Sequence, residues 1–266
     1  MKKQLIVIMC ILLAIMAIIS AMILNRPEDP PVVIITDPPV VEVYEEIAVK
    51  DIEKISLETV NVNVTVALSD DNNIRIVYKP FTDENHFQYE FDNKTLSLKI
   101  EKVNMSGFLV PNDNEMIYLL LPKKSNIEFS FKTESGFVLM DAVNLKSATI
   151  NSASGVIAIT DVNFEEELQI ESVSGMIALH DNKFSSLNLI TNSSLVSCSI
   201  ADYEINFQNN FMTETGQIVV NGMSVVAPYC GIEPCEVVDE EKPIANIATK
   251  SGNIMLKFLV EENEVE

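Results

Sequence analysis

The second half of the chain repeats a Ser-Gly or Thr-Gly pair at a nearly constant interval. Five of the eight glycines lie at these pairs, where a tight corner or a positive φ requires a residue without a side chain. In a strand-rich sequence, a period of about 20 residues is typical of stacked rungs, because each rung can bury its apolar face only against its neighbours. The pairs are Ser135-Gly136, Ser154-Gly155, Ser174-Gly175, the degenerate Ser193-Ser194, Thr215-Gly216 and Ser251-Gly252, at intervals of 19, 20, 19, 22 and 36 residues.

Apolar and polar residues alternate with a period of two in the chain from residue 47 onward. Val62, Val64 and Val66 share one side of such a run, and Asn, Asp or Pro residues separate it from the next. This pattern predicts half-buried strands and no helix outside the N-terminus. We therefore predict an all-β domain over residues 47–262, a β-solenoid with rungs of about 20 residues. A β-sandwich of regular hairpins is the alternative.

Residues 5–24 form an apolar run without a charged residue. As a helix this run spans about 30 Å, the hydrocarbon thickness of a bilayer. Lys2 and Lys3 precede it, so the positive-inside rule predicts a cytoplasmic N-terminus and an extracellular bulk of the chain. Residues 1–25 are therefore predicted to be a single-pass transmembrane anchor in the lipid bilayer of the cell membrane. The alternatives are a cleaved signal peptide and a lipoprotein modified at Cys10.

Residues 26–46 are rich in proline and acidic residues. The sequence Asp-Pro-Pro-Val-Val occurs twice, beginning at Asp29 and at Asp37. Adjacent prolines favour an extended polyproline II conformation, so this segment is predicted to be a stalk with a reach of roughly 60 Å. The chain as a whole has a net charge of −21, which argues against nucleic acid as a partner.

The Ser-Gly-x-Ile-x-Leu rungs, an earlier segment and the N-terminal anchor together resemble the DUF4097 family of adhesin-like proteins of bacterial envelopes. The earlier segment includes Ile55, Leu57, Asn61 and Val64, with Asp70 and Asp71 after it. The resemblance covers about residues 47–260 and implies a right-handed β-helix-like domain exposed outside a bacterial membrane. It implies no catalytic residues. The chain departs from the pattern at Ser194 and in the insertion over residues 223–246.

A row of acidic residues that follow the rung strands is the first candidate for chemistry. In stacked rungs these carboxylates would lie about 5 Å apart, an arrangement that suits Ca²⁺ or a polysaccharide-cleaving enzyme. Asp is also a preferred turn residue, and turns are the simpler explanation. We therefore predict no catalytic, cofactor-binding or metal-binding residue. The row consists of Asp141, Asp161, Asp181 and, at a looser spacing, Asp202.

Three further features carry expectations about side chains. His180 directly precedes Asp181, which in a strand directs the two side chains to opposite faces. Cys230 and Cys235 could close a small disulfide loop in an oxidising compartment. Outward polar residues predict a stripe that is either solvated or glycan-binding. The stripe consists of Thr149, Gln169, Asn188 and Asn206.

Together these features predict a non-enzymatic, membrane-anchored extracytoplasmic module with an adhesin-like or envelope-sensing function. An envelope protein or a glycan would be its partner. Two alternatives stay open at this stage. One is a carbohydrate-active β-helix enzyme that uses the stacked Asp residues, and the other is a regulatory or structural partner of another membrane protein.

Overall fold

In the computed structural model the Ser-Gly pairs lie one above another, each at the corner between two strands of a rung. Ser154 N donates to Glu134 O, and Ser174 N donates to Ala153 O, so each corner is hydrogen-bonded to the next. The structure describes residues 43–48, 52–70, 73–78, 87–100, 116–123, 125–203, 206–230 and 242–259. These residues include no α-helix, which confirms the predicted all-β class for this part of the chain.

Eighteen of the described strands belong to one strongly curled sheet, and the other two pair with each other. The strands are β1 Val43–Ala48, β2 Lys54–Thr59, β3 Asn63–Leu68, β4 Asn73–Tyr78, β5 Phe87–Asp92, β6 Thr95–Ile100, β7 Met116–Leu121, β8 Glu128–Thr133, β9 Phe137–Asp141, β10 Asn144–Leu145, β11 Ser147–Ser152, β12 Val156–Thr160, β13 Asn163–Phe164, β14 Glu167–Asn182, β15 Ser186–Tyr203, β16 Gln208–Thr213, β17 Ile218–Val220, β18 Met223–Val225, β19 Ile244–Thr249 and β20 Ile254–Leu259.

Parallel pairing between rungs builds two ladders, one on each side of the corners. The first ladder contains β2, β8, β11, the first half of β14, the first half of β15, β19 and β16. The second contains β3, β9, β12, the second halves of β14 and β15, β20 and β17. Ile150 pairs with Phe131 on one side and with Ile170 on the other. Parallel rungs in register are solenoid-like and contradict the sandwich alternative; the right-handed sense stays a prediction.

The order of the rungs in the stack differs from their order in the chain. Near the N-terminus, β2 lies between β6 and β8, and β3 lies between β7 and β9. Near the C-terminus, β19 lies between β15 and β16, and β20 lies between β15 and β17. Antiparallel strands flank the stack, with β5 on β6, β4 on β7 and β18 on β17. Both ends of the domain are therefore formed by segments from inside the chain.

Each corner is held by a buried hydroxyl two residues before the Ser or Thr of the pair. Thr133 Oγ1 donates to Ser135 O at 2.7 Å, and Ser152 Oγ donates to Ser154 O at 2.8 Å. Because buried polar groups are costly unless they are hydrogen-bonded, these hydroxyls favour the corner over an extended strand. Register places seven hydroxyl residues in one column, of which all but Thr213 are buried. They are Thr59, Thr133, Ser152, Ser172, Thr191, Thr249 and Thr213.

The corner glycines are required by the close approach of neighbouring backbones. A Cβ on Gly155, whose φ is +123°, would lie 2.0 Å from Gly136 O. A Cβ on Gly252 would lie 1.9 Å from Ser194 O, and one on Gly216 would lie 1.8 Å from Gly252 O. The carbonyl oxygen of one corner thus occupies the space that a side chain would need in the next corner. These contacts follow the order of the rungs in the stack, in which the Gly252 rung lies between those of Ser194 and Gly216.

The core is a continuous column of aliphatic and aromatic side chains between the two ladders. Ile150, Ile170 and Leu189 are fully buried at equivalent positions of successive rungs. A short third side closes the rungs, where Leu145 of β10 pairs with Phe164 of β13. The apolar residues of each rung therefore pack on those of the rungs above and below, as the repeat predicts.

Two of the predicted segments lie outside the described residues. These are the apolar run over residues 5–24 and most of the stalk over residues 26–46, although β1 begins at Val43 within the last residues of that stalk. Within the described ranges, no helix is long and apolar enough to cross a membrane.

Replacement of Gly155 by Ala is expected to lower the free energy of unfolding by about 3 kcal/mol or more. Backbone strain accounts for about 1–2 kcal/mol, and the overlap with Gly136 O forces two rungs apart. Gly222→Ala is the matched control, because Gly222 also has a positive φ of 81° but its Cβ would meet nothing within 4 Å. Urea unfolding followed by circular dichroism measures the free energy of unfolding of both variants. Equal losses of stability in the two would contradict the close approach of Gly155 to Gly136 O.

Candidate functional site

The domain has two outer faces, because alternate residues of each ladder point away from the core. We call the outward side of the first ladder the first face and that of the second ladder the second face. In β11 the buried residues are Ala148, Ile150 and Ser152, so Thr149 points outward on the first face. In β12 the buried residues are Ile157 and Ile159, which places Ala158 outward on the second face.

The predicted polar stripe is present on the first face, with one correction. Thr149, Gln169 and Asn188 are in register on successive rungs. Asn206 does not belong to the stripe, because it precedes β16 and its Nδ2 donates to Asp202 Oδ1 at 2.6 Å. The stripe continues instead through Asn246 and Asn210. Sequence spacing contains this signal, because Thr149, Asn188 and Asn210 each lie five residues before the Ser or Thr of the next pair, whereas Asn206 lies nine residues before Thr215.

The acidic row does not form one column of carboxylates. Asp161 and Asp181 occupy the turn after the second ladder, each with a φ of 52°. Asp141 lies one position earlier, paired with Thr160, and Ala142 takes the equivalent turn position with a φ of 55°. Short polar residues tolerate this left-handed conformation better than most. Turn geometry therefore explains two of the four members of the row, Asp161 and Asp181, as predicted, whereas Asp141 and Asp202 lie in strands.

Asp181 is hydrogen-bonded within its own surroundings. Ser199 Oγ donates to Asp181 Oδ1 at 3.0 Å, and His180 Nε2 lies 3.1 Å from Asp181 Oδ2. The expectation that His180 and Asp181 point to opposite faces is thus wrong. Strand alternation ends at Asp181 because its positive φ turns the backbone, and the side chain comes back towards His180. In this arrangement the carboxylate lies between the histidine and the hydroxyl, so the histidine does not contact Ser199 as a general base would.

Asp141 is the one member of the row with a perturbed pKa. Partial burial raises the pKa of Asp141, and the neighbouring charge of Asp161 raises it further. A cation bound between the two would have the opposite effect on the carboxyl. In the ranges that the structure describes, no three His, Cys, Asp or Glu side chains are grouped to hold a metal ion.

The second face is nearly uncharged, which sequence reasoning missed. Phe137 and Leu139 point outward on β9, and the same two positions of the next rungs are apolar or small. Leu139 is 37% exposed and Met176 is 41% exposed. The signal was present, because the four residues after each of Gly136, Gly155 and Gly175 are all apolar and do not alternate. The outward residues of the four central rungs at these positions are Phe137, Leu139, Val156, Ala158, Met176, Ala178, Leu195 and Ser197.

The cysteines take different roles. Cys198 is a free, buried thiol on β15, and burial raises the pKa of Cys198 to about 12. It is therefore a core residue and not a nucleophile at neutral pH, as expected. Cys230 is disulfide-bonded. The predicted partner, Cys235, lies outside the described residues.

Asp141→Asn is expected to raise the free energy of unfolding by a few tenths of a kcal/mol at pH 7, because it removes a carboxylate whose charged form the fold disfavours. The raised pKa means that the folded state favours the protonated acid. The free energies of unfolding of wild type and variant should therefore converge below about pH 4, where Asp141 becomes protonated in both the folded and unfolded states. Thermal melts at both pH values, with the exposed Glu90→Gln as control, measure the difference. A gain that persists at low pH would contradict the charge explanation.

Comparison with known proteins identifies the family but not a ligand. The family model described as Toastrack DUF4097 matches residues 52–266. No curated protein matches the sequence. A solved structure of a candidate cell adhesion protein from Clostridium sporogenes is 15% identical, with a TM-score of 0.48, over 82% of this chain and 98% of that one. A candidate adhesin from Bacteroides fragilis is 16% identical, with a TM-score of 0.38, over 81% and 95% of the two chains.

The family match covers most of the chain and coincides with the stacked rungs, from the residues just before β2 to the C-terminus. The chain therefore belongs to the Toastrack DUF4097 family.

Proposed function

We propose that the protein is a non-enzymatic, membrane-anchored surface module whose solenoid presents a binding face outside the cell. The observation that carries this proposal is the second face, an array of half-buried and exposed apolar side chains that includes Leu139 and Met176, on a chain with a net charge of −21. Exposed apolar patches on otherwise soluble domains mark interaction sites. The stacked corners make this face rigid, so it binds without paying the entropy of ordering a loop.

The location outside the membrane is supported by two features of the chain. The apolar run over residues 5–24 is long enough to cross a bilayer, and Lys2 and Lys3 precede it. The disulfide of Cys230 persists in an oxidising compartment and is rare in the cytosol. A stalk over residues 26–46 would hold the domain at a distance from the bilayer.

An enzymatic role has less support than a binding role. The carboxylates of Asp141, Asp161 and Asp181 lie on one side of the rungs, but Asp181 is engaged by Ser199 and His180. Asp141 is out of line with the other two. Paired carboxylates in glycosidases act across a substrate-filled gap, whereas Asp161 and Asp181 occupy successive turns of the backbone.

The proposed topology predicts the accessibility of single introduced cysteines. In intact cells, Lys250→Cys should react with a membrane-impermeant maleimide, because Lys250 is exposed on the outer domain. Lys2→Cys is the matched control and should react only after lysis. Both variants are made in a Cys10→Ser background, and labelling is read by gel shift. Labelling of Lys2→Cys alone in intact cells would contradict the topology and, with it, the surface role.

The non-enzymatic role predicts that the purified chain releases no reducing ends from a panel of bacterial and host polysaccharides. If cleavage is detected, the triple variant Asp141→Asn, Asp161→Asn and Asp181→Asn decides its origin. Loss of cleavage in the triple variant, together with an unchanged melting curve, would establish the carbohydrate-active alternative and refute the proposal.

A further inference from the structure

The two ladders are closed in different ways at the C-terminal end of the stack. On the second ladder, β18 folds back on β17 as a hairpin, in which Val220 pairs with Met223. On the first ladder, the outer edge of β16 is instead covered at its centre by Tyr229, which forms an isolated antiparallel bridge with Phe211. The end of the first ladder is therefore covered by the segment that follows β18.

This segment also covers the end of the hydrophobic core. Val225 and Ala227 pack against the core together with Tyr229, so residues 225–229 lead from β18 on the second ladder to β16 on the first. We call residues 225–229 the cap segment. Phe211 and Val220 of the last rung are buried. The last rung of a solenoid needs such a cap, because its apolar side chains would otherwise face water.

The cap segment is attached to β16 by few interactions. Phe211 N donates to Tyr229 O at 2.8 Å, and Tyr229 N donates to Phe211 O at 2.9 Å. The two rings stack with their centroids 6.1 Å apart and an angle of 17° between their planes. On its other edge β16 pairs with β19 along its whole length, from Gln208 to Thr213. A segment with so few contacts opens more readily than a strand that is paired throughout.

A covalent bond lies directly beside this attachment. Cys230, the residue after Tyr229, is disulfide-bonded. A cross-link next to the bridge restricts the freedom that the cap segment would gain on leaving β16, and it therefore favours the closed arrangement. The disulfide thus lies where the noncovalent attachment of the cap segment ends.

We propose that the disulfide of Cys230 is a redox-sensitive lock that holds the cap segment on β16. In the oxidised protein Tyr229 covers the edge of β16. A dithiol reductant transfers two electrons and two protons to the disulfide and becomes a disulfide itself. The sulfur–sulfur bond of Cys230 then breaks into two thiols, the cap segment leaves Phe211, and the edge of β16 is exposed as a site for strand pairing.

The lock connects the last step of folding to the compartment in which the domain resides. Thiols stay reduced in the cytosol and form disulfides in oxidising compartments. The cap segment would therefore be locked only after export, which keeps the end of the stack open until the domain is outside. This consequence rests on the proposed location outside the membrane, whereas the lock itself does not.

The first experiment compares hydrogen exchange in the purified full chain in detergent before and after treatment with dithiothreitol. Mass spectrometry reads the peptides that contain Phe211 and Tyr229, and a thiol titration shows that the disulfide has opened. Both amides should exchange at least about tenfold faster after reduction, because the open state is no longer restricted by the cross-link. The amide of Ser154, which donates to Glu134 O in the middle of the stack, should keep its rate.

Cys230→Ser tests the lock without a reductant. This variant lacks the bond whichever cysteine is the partner, and its Phe211 and Tyr229 amides should exchange as fast as those of the reduced wild type. Cys198→Ala is the matched control, because Cys198 is a free thiol, and it should retain slow exchange until dithiothreitol is added. If Cys230→Ser fails to fold by circular dichroism, reduction of the wild type decides alone.

Two results would overturn the proposal. Unchanged exchange at Phe211 and Tyr229 in the fully reduced chain would mean that the cap segment holds itself without the disulfide. An equal acceleration at Ser154 would mean that reduction loosens the whole stack and not the cap segment. Because both results come from the purified chain, they are independent of the labelling in intact cells that tests the proposed location.

Discussion

The domain depends on the direct contact of backbone with backbone at the stacked corners. At each corner a carbonyl oxygen of one rung occupies the space that a Cβ of the next would need, within 2.0 Å at Gly155 and Gly175. Only glycine allows this approach at an unbroken parallel ladder spacing. Ser194 is the exception to glycine at the corner. Its N–H donates to Thr191 Oγ1 at 3.2 Å, as that of Gly252 does to Thr249 Oγ1, and its hydroxyl accepts a further bond from Thr191 Oγ1 at 2.6 Å.

Stacking at the corners determines what the two outer faces can be. Every rung contributes one strand to each of the two ladders. An outward side chain that recurs at the same position of successive rungs therefore forms a continuous surface. On the first face these choices produced a hydroxyl and amide stripe with paired charges beside it. On the second face they produced an array of apolar and small side chains. A rigid repeat thus turns small local preferences into extended binding surfaces.

The acids illustrate how a repeat can imitate a site. Asp161 and Asp181 recur at the same turn because a residue with a positive φ is needed there, and a short polar side chain tolerates it. Their spacing is that of the rungs, which is also the spacing expected of a cation ladder. The orientation of the side chains favours turn residues over a cation ladder. Asp181 is engaged by Ser199 and His180, and Asp141 lies one position before the turn. The surface that distinguishes this chain is instead made of residues with no catalytic chemistry.

The sequence by itself determined the strands, the rung period, the corner glycines and the family, because each is written in local spacing. It also contained a hydroxyl residue two positions before the Ser or Thr of each pair. Only the tertiary structure decided that the rungs of β2 and β19 insert between others, since stack order depends on which backbones pair and not on chain order. The same insertion placed Asn246 between Asn188 and Asn210 in the stripe.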